Sequence, residues 1–288
     1  MRKKYLIGHA GIELHMADDV EIPSNLSKFE VNRCEVQKKY EIAFTDCLEE
    51  IEKSFRKEHC IQKELMRKNM RILISHNQEF RIIYFEGAPA PYAISLEDSE
   101  SRTKAWVSRK MQEMLKHDTV FASLLGLEKV MLCNKALILH SAYISKDGKA
   151  ILFSAPSETG KSTQASLWER YRQAKVVNGD RALLVREQDG WHAHGWPICG
   201  NSGICHNESY PIGAIVMLNQ ATENQIQPLE LFSAMKKLMS EITINMWNSE
   251  FQVQAMDLIQ QLAMEVPVYQ LGCNISEDAV RCLEKALE

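Results

Sequence analysis

The sequence predicts an α/β protein in which an α/β domain follows an N-terminal α+β region. The main observation is residues 155–162, Ala-Pro-Ser-Glu-Thr-Gly-Lys-Ser, which lie between a short apolar strand at 151–153 and an amphipathic helix from Thr163 onward. A strand, a loop and a helix in this order are the context that a phosphate-binding loop requires. The second observation is a change of pattern near residue 115, where short strands and a charged helix give way to longer apolar elements.

The composition of the loop explains how it would bind phosphate. Successive backbone N–H groups form a cradle for an anion, and the following helix presents its positive N-terminus. Lys161 would reach the outer phosphates, and the Ser162 hydroxyl would ligate Mg²⁺. The pattern therefore predicts binding of ATP or a related nucleotide, although alanine replaces the usual first glycine; the alternative is a polar turn before a surface helix. The predicted nucleotide-binding residues are Ala155, Pro156, Ser157, Glu158, Thr159, Gly160, Lys161, Ser162 and Thr163.

Composition narrows the class of protein. The 288 residues, 45% of them hydrophobic, can bury the core of one large domain or of two small ones. The formal net charge of −4 gives no bulk attraction to nucleic acid or to an anionic membrane. No apolar run approaches the roughly 18 residues of a membrane span, and the basic N-terminus does not resemble a signal peptide. The eight cysteines form no Cys-x-x-Cys pair, which favours reduced thiols and a cytoplasmic protein.

The N-terminal α+β region, residues 1–115, carries no chemical motif. Its patterns predict strands at 5–7, 11–15, 29–31 and 40–44, a charged helix within 46–69, a hairpin of strands 71–74 and 80–85, and an end of the unit at 87–91.

The second domain, residues 116–288, begins with a mostly apolar helix at 120–132. Strands at 135–142 and 150–154 flank a turn, so they form a hairpin that leads into the phosphate-binding loop. Further strands are predicted at 175–180, 182–185 and 214–218, and the chain beyond Pro228 is helical, with Ser276 as the N-cap of the last helix.

Two residues outside the loop are candidates for catalysis. Asp180 ends the strand that follows the loop helix, where a carboxylate can bind Mg²⁺ or accept the proton of an attacking hydroxyl; the alternative is a turn aspartate, since Asn-Gly-Asp is an ordinary turn sequence. His140 lies on the strand before the loop, near the reacting phosphate if the hairpin pairs in register. A structural histidine is the commoner case for a single histidine in a strand.

The order of these pieces resembles the bacterial HPr kinase/phosphorylase family and, more broadly, the phosphoenolpyruvate-carboxykinase-like nucleotide fold. The matching residues are Leu139-His140, the loop at 155–162 and Asp180, and the segments at 195–203 and 266–271 are similar to those of HPr-kinase-like proteins of unassigned substrate. The resemblance covers residues 116–288 and leaves the first 115 residues without a counterpart.

The resemblance implies ATP-dependent phosphorylation of a serine hydroxyl with Mg²⁺. Lys161 and the loop amides would hold the outer phosphates, Ser162 and Asp180 would hold the metal, and His140 would lie beside the γ-phosphate. Phosphoryl transfer is catalysed mainly by alignment and charge neutralisation. The predicted catalytic residues are therefore His140, Lys161 and Asp180.

Three departures from the family pattern bear on the substrate. HPr kinases carry two adjacent aspartates where this chain has Gly179-Asp180, so the group commonly assigned as general base is missing. Glu158 replaces a glycine inside the loop, and its carboxylate would repel phosphates unless it points to solvent or to Mg²⁺. The family's C-terminal signature, which supports phosphorylase activity and oligomer contacts, has no convincing copy. A seryl peptide, another protein or a small molecule therefore fits as acceptor at least as well as HPr, and homo-oligomerisation stays open.

The remaining polar residues have ordinary interpretations. His192, His194, Cys199, Cys205 and His206 resemble a zinc set, but their spacings match no standard finger. Gly195, Gly200 and Gly203 suggest instead a loop near the nucleotide or acceptor, with Asn201 and Ser202 as weak candidates. Arg181 could contact a phosphate or form an exposed salt bridge.

Three other functions remain open alongside the kinase. A regulatory protein could bind ATP without transferring phosphate, which the missing aspartate and Glu158 favour. A carboxykinase-type enzyme would need a second metal-binding set of Lys and His, which the sequence does not supply. An ordinary small-molecule kinase would differ from a peptide kinase only in its acceptor.

Overall fold

The structure is a computed structural model that describes residues 1–76 and 78–288; Asn77, in the predicted hairpin turn, lies outside the described residues. The chain forms two compact units, Met1–Leu127 and Glu128–Glu288. The sequence pattern predicts a boundary after residue 115, and the division of the structure falls further along the chain.

The strands of the first unit form one sheet. Its strands are β1 (Arg2–Ile7), β2 (Ala10–His15), β3 (Glu30–Val31), β4 (Lys38–Thr45), β5 (Lys63–Arg67), β6 (Met70–Ser75), β7 (Gln78–Tyr84), β8 (Pro91–Ser99) and β9 (Arg102–Ser108). The strand order is β3-β1-β2-β4-β9-β8-β7-β6-β5, with parallel pairing where β4 meets β2 and β9. Helices α1 (Leu48–Glu58) and α2 (Asp118–Leu125) and the 3₁₀ helices Ser24–Phe29 and Arg109–Lys116 complete the unit.

The core of the first unit explains where α1 ends. Leu48 and Phe55 of α1 pack with Phe80 and Ile82 of β7, and the helix ends at Glu58 because His59 has an extended backbone conformation. The predicted helix over 46–69 is therefore too long: residues 63–67 are instead the edge strand β5, because their backbone pairs with β6. The segment 87–91 is a turn and not the end of the unit, since β8 and β9 continue the same sheet.

The predicted helix over 120–132 is two helices, α2 and α3 (Leu127–Cys133). Gly126 between them has φ of +55°, in the left-handed region, and ends α2. A β-carbon at Gly126 would also lie 3.0 Å from the Arg81 guanidinium. The apolar pattern runs through this break because both helices bury the same side-chain types.

The second unit is a three-layer α/β arrangement. Its strands are β10 (Ala136–Lys146), β11 (Lys149–Ser154), β12 (Lys175–Asn178), β13 (Arg181–Glu187), β14 (Gly190–His194), β15 (Ser209–Gln220), β16 (Gln225–Pro228) and β17 (Val268–Cys273). Its remaining helices are α4 (Lys161–Arg172), α5 (Leu231–Glu241), α6 (Ser249–Glu265) and α7 (Glu277–Leu287), with a 3₁₀ turn at Gly200–Ser202. The predicted hairpin that leads into the loop is confirmed: β10 and β11 pair antiparallel, with Ser141 opposite Ser154.

Helices cover both faces of the sheet in this unit. One core cluster lies under α4 and α7, where Trp168 and Leu283 meet Phe153 of β11. A second cluster lies under α5 and α6, where Leu238 and Ile259 meet the other face. The central strand β11 is fully enclosed, which is why its sequence reads as an uninterrupted apolar run.

The topology places several chain segments at one edge of this sheet. Strands β11, β15 and β17 run parallel as neighbours, so their carboxyl ends lie at the same edge. Strand β10 runs antiparallel on the other side of β11, and β13 pairs with β10 with His140 opposite Arg181. In open α/β sheets, ligands bind at the carboxyl ends of parallel strands. Among the described residues, no helix has the length and apolar character needed to cross a membrane.

Candidate functional site

The loop between β11 and α4 leads directly into a helix N-terminus. It leaves buried Ala155 and enters α4 at Lys161, with Gly160 at φ +114° just before the first helical residue. Glu158 also has positive φ, +65°, a conformation that glycine adopts more easily. Pro156, Ser157 and Glu158 are exposed. The first N–H groups of α4 have no intrahelical acceptor and, with the helix dipole, favour an anion at this position.

Lys161 lies across the loop that it follows. Its ammonium group donates hydrogen bonds to the carbonyl oxygens of Ala155 and Pro156, at 2.8 and 3.2 Å, and the residue is only 8% exposed. Burial lowers the pKa of Lys161, and the nearby carboxylates of Glu241 and Asp180 oppose that shift. The lysine is thus a buried cation between the loop and two acidic side chains.

The two candidate ligands of a metal ion are the Ser162 hydroxyl and the Asp180 carboxylate. Ser162 is exposed in the first turn of α4, next to Thr163, so its hydroxyl is accessible to a cation. Asp180 interacts electrostatically with Lys161, at the start of the same helix. A hydroxyl and a carboxylate are oxygen ligands of the kind that Mg²⁺ accepts. The donor chemistry therefore fits a magnesium ion bound together with phosphates.

His140 lies between two carboxylates. Its Nε2 atom is 3.6 Å from Oδ1 of Asp180, and its Nδ1 atom is 3.3 Å from Oε2 of Glu241. Both predicted residues, His140 and Asp180, are therefore in one cluster, and Glu241 joins them from the end of α5. The Glu241 carboxylate on one side and the Asp180 carboxylate on the other restrict the orientation of the His140 ring.

Asp180 is held in place by Asn178, which is fully buried. The side-chain oxygen of Asn178 accepts hydrogen bonds from the backbone N–H groups of Asp180 and Arg181, and its amide nitrogen donates to the carbonyl oxygens of Trp196 and Ile198. This is the turn that the Asn-Gly-Asp sequence predicts. The turn and a site carboxylate are therefore compatible at the same position.

The charge of Asp180 is maintained despite partial burial. Burial by itself raises the pKa of a carboxyl group, but the interactions with His140 and with the charge of Arg181 outweigh it, so the pKa of Asp180 is lowered. Arg181 contacts Oδ2 of Asp180 at 3.1 Å and donates to the Thr243 hydroxyl at 3.1 Å. The arginine therefore pairs with the site aspartate and not with a carboxylate at the outer surface.

The segment around 195–205 packs directly against the Asp180 turn. A β-carbon at Gly179 would lie 2.3 Å from both Cβ and Oγ of Ser202, and a β-carbon at Gly200 would lie 3.1 Å from the carboxyl carbon of Asp180. Glycine at position 179 is thus the only residue that fits without a shift of Ser202. Asn201 and Ser202 are exposed beside this contact, in agreement with a loop next to the site.

The cysteines and histidines of the possible zinc set have other partners. His192 contacts Asp189 and His194 contacts Glu187, and the Cys205 thiol donates to the carbonyl oxygen of Trp196. Among the described residues, no group of closely spaced ligand atoms combines these histidines with Cys199 or Cys205. Both cysteines are buried, and the segment contributes packing.

Sequence reasoning missed Glu241 and Asn178. Glu241 falls on the buried face of α5 with Ala234 and Leu238, and an acidic residue on an apolar face was the available signal. A carboxylate is rarely buried unless it is paired. The partner, however, is 101 residues away in the chain, so no local pattern could identify it. For Asn178, the sequence indicates only a turn.

Comparison with known proteins identifies the family to which the chain belongs. The model of the family described as SynChlorMet cassette protein ScmC matches residues 106–288. Since this is more than half of the chain, the protein belongs to the ScmC family. Its description names no reaction. A search of the curated proteins found no match.

One similar solved structure is that of the Hpr(Ser) kinase/phosphatase from Coxiella burnetii. It is 12% identical, the alignment covers 52% of this chain and 92% of that chain, and the TM-score is 0.32. A TM-score this low does not establish a common fold. The similarity to HPr kinases therefore rests on the residues of the site themselves.

Proposed function

We propose that this protein is a Mg²⁺- and ATP-dependent kinase that transfers the γ-phosphate to a hydroxyl group, with serine of a peptide, a protein or a small molecule as the expected acceptor. The observation that carries the proposal is the convergence of a phosphate-binding loop with Lys161, His140 and Asp180 at one edge of the sheet. A turn before an ordinary surface helix would not need a buried lysine beside two carboxylates.

The roles follow from the chemistry of each side chain. The N–H groups at the start of α4 would bind phosphate oxygens, and Lys161 would add a cation beside them. Ser162 and Asp180 would hold the metal, which neutralises phosphate charge when bound. Little covalent chemistry is required of the protein, since alignment and charge stabilisation supply most of the catalysis of phosphoryl transfer.

The remaining requirement is a group that takes the acceptor's proton. Asp180 is ionised at neutral pH because His140 and Arg181 lower the pKa of its carboxyl group. It can accept a hydrogen bond from an approaching hydroxyl. His140, held by Glu241 on its other ring nitrogen, orients this carboxylate. Asp180 would thus serve both the metal and the acceptor.

The second candidate function is a protein that binds ATP and regulates a partner without phosphoryl transfer. Packing of Ser202 against Gly179 favours it, because the contact leaves no space for a second aspartate. Such a protein would bind the nucleotide but release no ADP when an acceptor is added.

The first test is calorimetric titration of ATP, with and without Mg²⁺, into the wild type and Lys161→Ala. We expect Mg²⁺-dependent binding to the wild type and a loss of at least tenfold in affinity in the variant, since it removes a charge-assisted contact to phosphate. Lys149→Ala, an exposed lysine on β11, is the matched control and should bind like the wild type. If the wild type binds no ATP, the kinase and the regulatory function both fail.

The second test separates the two functions. ADP release is followed with seryl peptides and with free hydroxyl compounds, in the wild type and Asp180→Asn. A kinase releases ADP only when an acceptor is present, and Asp180→Asn should abolish that release. Binding of ATP without acceptor-dependent release across the panel would favour the regulatory protein.

A further inference from the structure

A polar groove lies on the opposite side of the phosphate-binding loop from His140 and Asp180. We call it the amide groove. Its volume is about 450 Å³, within the range of small-molecule sites. It is lined by side chains that include Asn219, Gln225, Gln227, Gln270, Thr222 and Glu223. Four of these six are carboxamides, so the groove presents hydrogen-bond donors and acceptors without a surplus of either.

The strand pairing fixes where the amide groove lies. Ser154, the last residue before the loop, is paired with Met217 of β15, and Met217 is paired with Gln270 of β17. Asn219 and Gly272, two residues further along each strand, are therefore level with the beginning of the loop. Neighbouring strands are about 4.8 Å apart. The groove thus begins within about 10 Å of the loop at the same edge of the sheet.

His140 and Asp180 lie on the other flank of the same loop. Strand β10, which carries His140, pairs with the edge of β11 that faces away from β15. A nucleotide bound across the loop with its outer phosphate beside His140 and Asp180 would therefore direct its nucleoside end toward β15 and β17. The acceptor must approach the outer phosphate, so it belongs on the His140 side and not in the amide groove.

Hydrogen bonds tie the strands of the groove to the phosphate-binding loop and its helix. The Gln220 amide nitrogen donates to the carbonyl oxygen of Glu158 at 3.4 Å. The buried Gln164 side chain, in α4, donates to the carbonyl oxygen of Asn274 at 3.1 Å, just beyond β17. The ends of β15 and β17 are thus held in fixed register with the loop, which a ligand that spans both parts of the site requires.

The side chains of the groove are preorganised on rigid strands. Gln270 donates to the Met217 carbonyl oxygen and to Oδ1 of Asn219, which fixes the orientation of both carboxamides. At Gly272 a β-carbon would lie 3.3 Å from both Ala221 and Asn219. Glycine at this position therefore allows Ala221 and the Asn219 carboxamide to pack close to the β17 backbone, which holds the Asn219 side chain at the wall of the groove.

We propose that the amide groove binds the adenine base of the nucleotide whose phosphates occupy the loop; this rests on the proposed function. A carboxamide presents a donor and an acceptor side by side, which matches the adjacent acceptor and amino group on the edge of adenine. Gln225 and Gln227 lie on the edge strand β16 with exposed side chains, where they can reach such an edge. The phosphates would supply affinity, and the groove would supply selection for a base.

The test compares ATP with inorganic tripolyphosphate, each with Mg²⁺, by calorimetric titration of the full chain. The wild type should bind ATP at least tenfold more tightly than tripolyphosphate, because contacts to the base add to those with the phosphates. The variant Gln225→Ala/Gln227→Ala should lose about tenfold in ATP affinity while its tripolyphosphate affinity stays unchanged. Gln254→Ala, an exposed glutamine on α6, should match the wild type for both ligands.

The outcomes separate the two proposals. Equal affinity of the wild type for ATP and tripolyphosphate, with both lost in Lys161→Ala, would overturn the base site and keep the phosphate site. A double variant that binds ATP like the wild type would also overturn the base site. If neither ligand binds to the wild type, the proposed nucleotide function fails, and the base site fails with it. Because both glutamines are exposed on an edge strand, their replacement leaves the core intact.

Discussion

At the scale of single residues, the candidate site differs from the HPr kinase pattern at two positions with different physical consequences. Glu158 is exposed, so its carboxylate is free to face solvent, but its backbone is in the left-handed region. That conformation costs a non-glycine residue about 1–2 kcal/mol. At Gly179 the difference is required by packing, because a β-carbon at this position would overlap the side chain of Ser202.

Glu158→Gly tests the first departure. We expect ATP to bind a few-fold more tightly, because a carboxylate near the phosphates is removed, and the free energy of unfolding to rise by up to about 1 kcal/mol. Glu158→Gln is the control that removes the charge and keeps the backbone conformation. It should reproduce the gain in affinity without the gain in stability. Calorimetric titration and urea unfolding measure both, and weaker ATP binding in Glu158→Gly would contradict the prediction.

At the scale of elements, the site depends on the contact between the Asp180 turn and the segment around 195–205. The turn is stabilised by Asn178, which accepts two hydrogen bonds from the backbone N–H groups of Asp180 and Arg181. Its amide nitrogen donates two more to the carbonyl oxygens of Trp196 and Ile198. The glycines on each side allow a close approach. This contact holds the site carboxylate together with the pairing of β13 on β10, where the Ser141 N–H group donates to the Asp180 carbonyl oxygen.

Gly179→Ala should disturb that contact. Its β-carbon would overlap Ser202, and overpacking of this kind costs about 1–3 kcal/mol. Ser202→Gly removes both overlapping atoms, so the double variant should recover most of the loss. A double-mutant cycle in urea unfolding measures this coupling. Additive effects of the two replacements would show that the residues do not meet as described.

The same pair gives a functional test of the missing aspartate. Gly179→Asp combined with Ser202→Gly restores two adjacent aspartates and makes space for the second. If the missing acid limits transfer, ADP release with an acceptor should rise in the double variant compared with Ser202→Gly alone. No rise would indicate that Asp180 is sufficient.

At the scale of the whole molecule, carboxylates in both units are paired with cations in the folded state. Hydrogen bonds from Arg2 and Arg56 lower the pKa values of Glu13 and Glu64 in the first unit. In the second unit, bonds from cationic partners lower the pKa values of Glu208, Glu265 and Glu284. Each of these groups titrates at lower pH in the folded than in the unfolded chain, so acid weakens both units.

Stability should therefore fall as the pH drops below about 4.5, the ordinary value for a glutamate. The unfolded chain takes up protons first, so the contribution of each pair is fully present above that value and is lost as the pH passes through the folded pKa. Urea unfolding at pH 7, 5, 4 and 3 measures the slope. Glu284→Gln, which removes the carboxylate paired with Arg172, should have a shallower slope. Equal stability at pH 7 and pH 3 would contradict the prediction.

The sequence predicts the fold best where a short segment carries one clear pattern, such as an apolar run next to a turn or a loop. The loop at 155–162 combines an apolar strand, a phosphate-binding composition and a helix start, and the hairpin before it follows from two apolar runs around a turn. The strand β5 could not be predicted, because its residues are mostly exposed and its existence depends on pairing with β6. The break at Gly126 was missed since the apolar pattern continues through it.

The sequence by itself predicted which residues form the candidate site: the loop at 155–162 with its lysine and serine, His140 on the hairpin before it, and Asp180 beyond the helix that follows it. Local composition is sufficient for these because the loop and its flanking strands are contiguous in the chain. Only the tertiary structure decided that Glu241 holds His140, that Ser202 excludes a side chain at 179, and that the amide groove lies beyond the loop from the catalytic candidates. These depend on strand order and on contacts between distant segments, which side-chain periodicity does not encode.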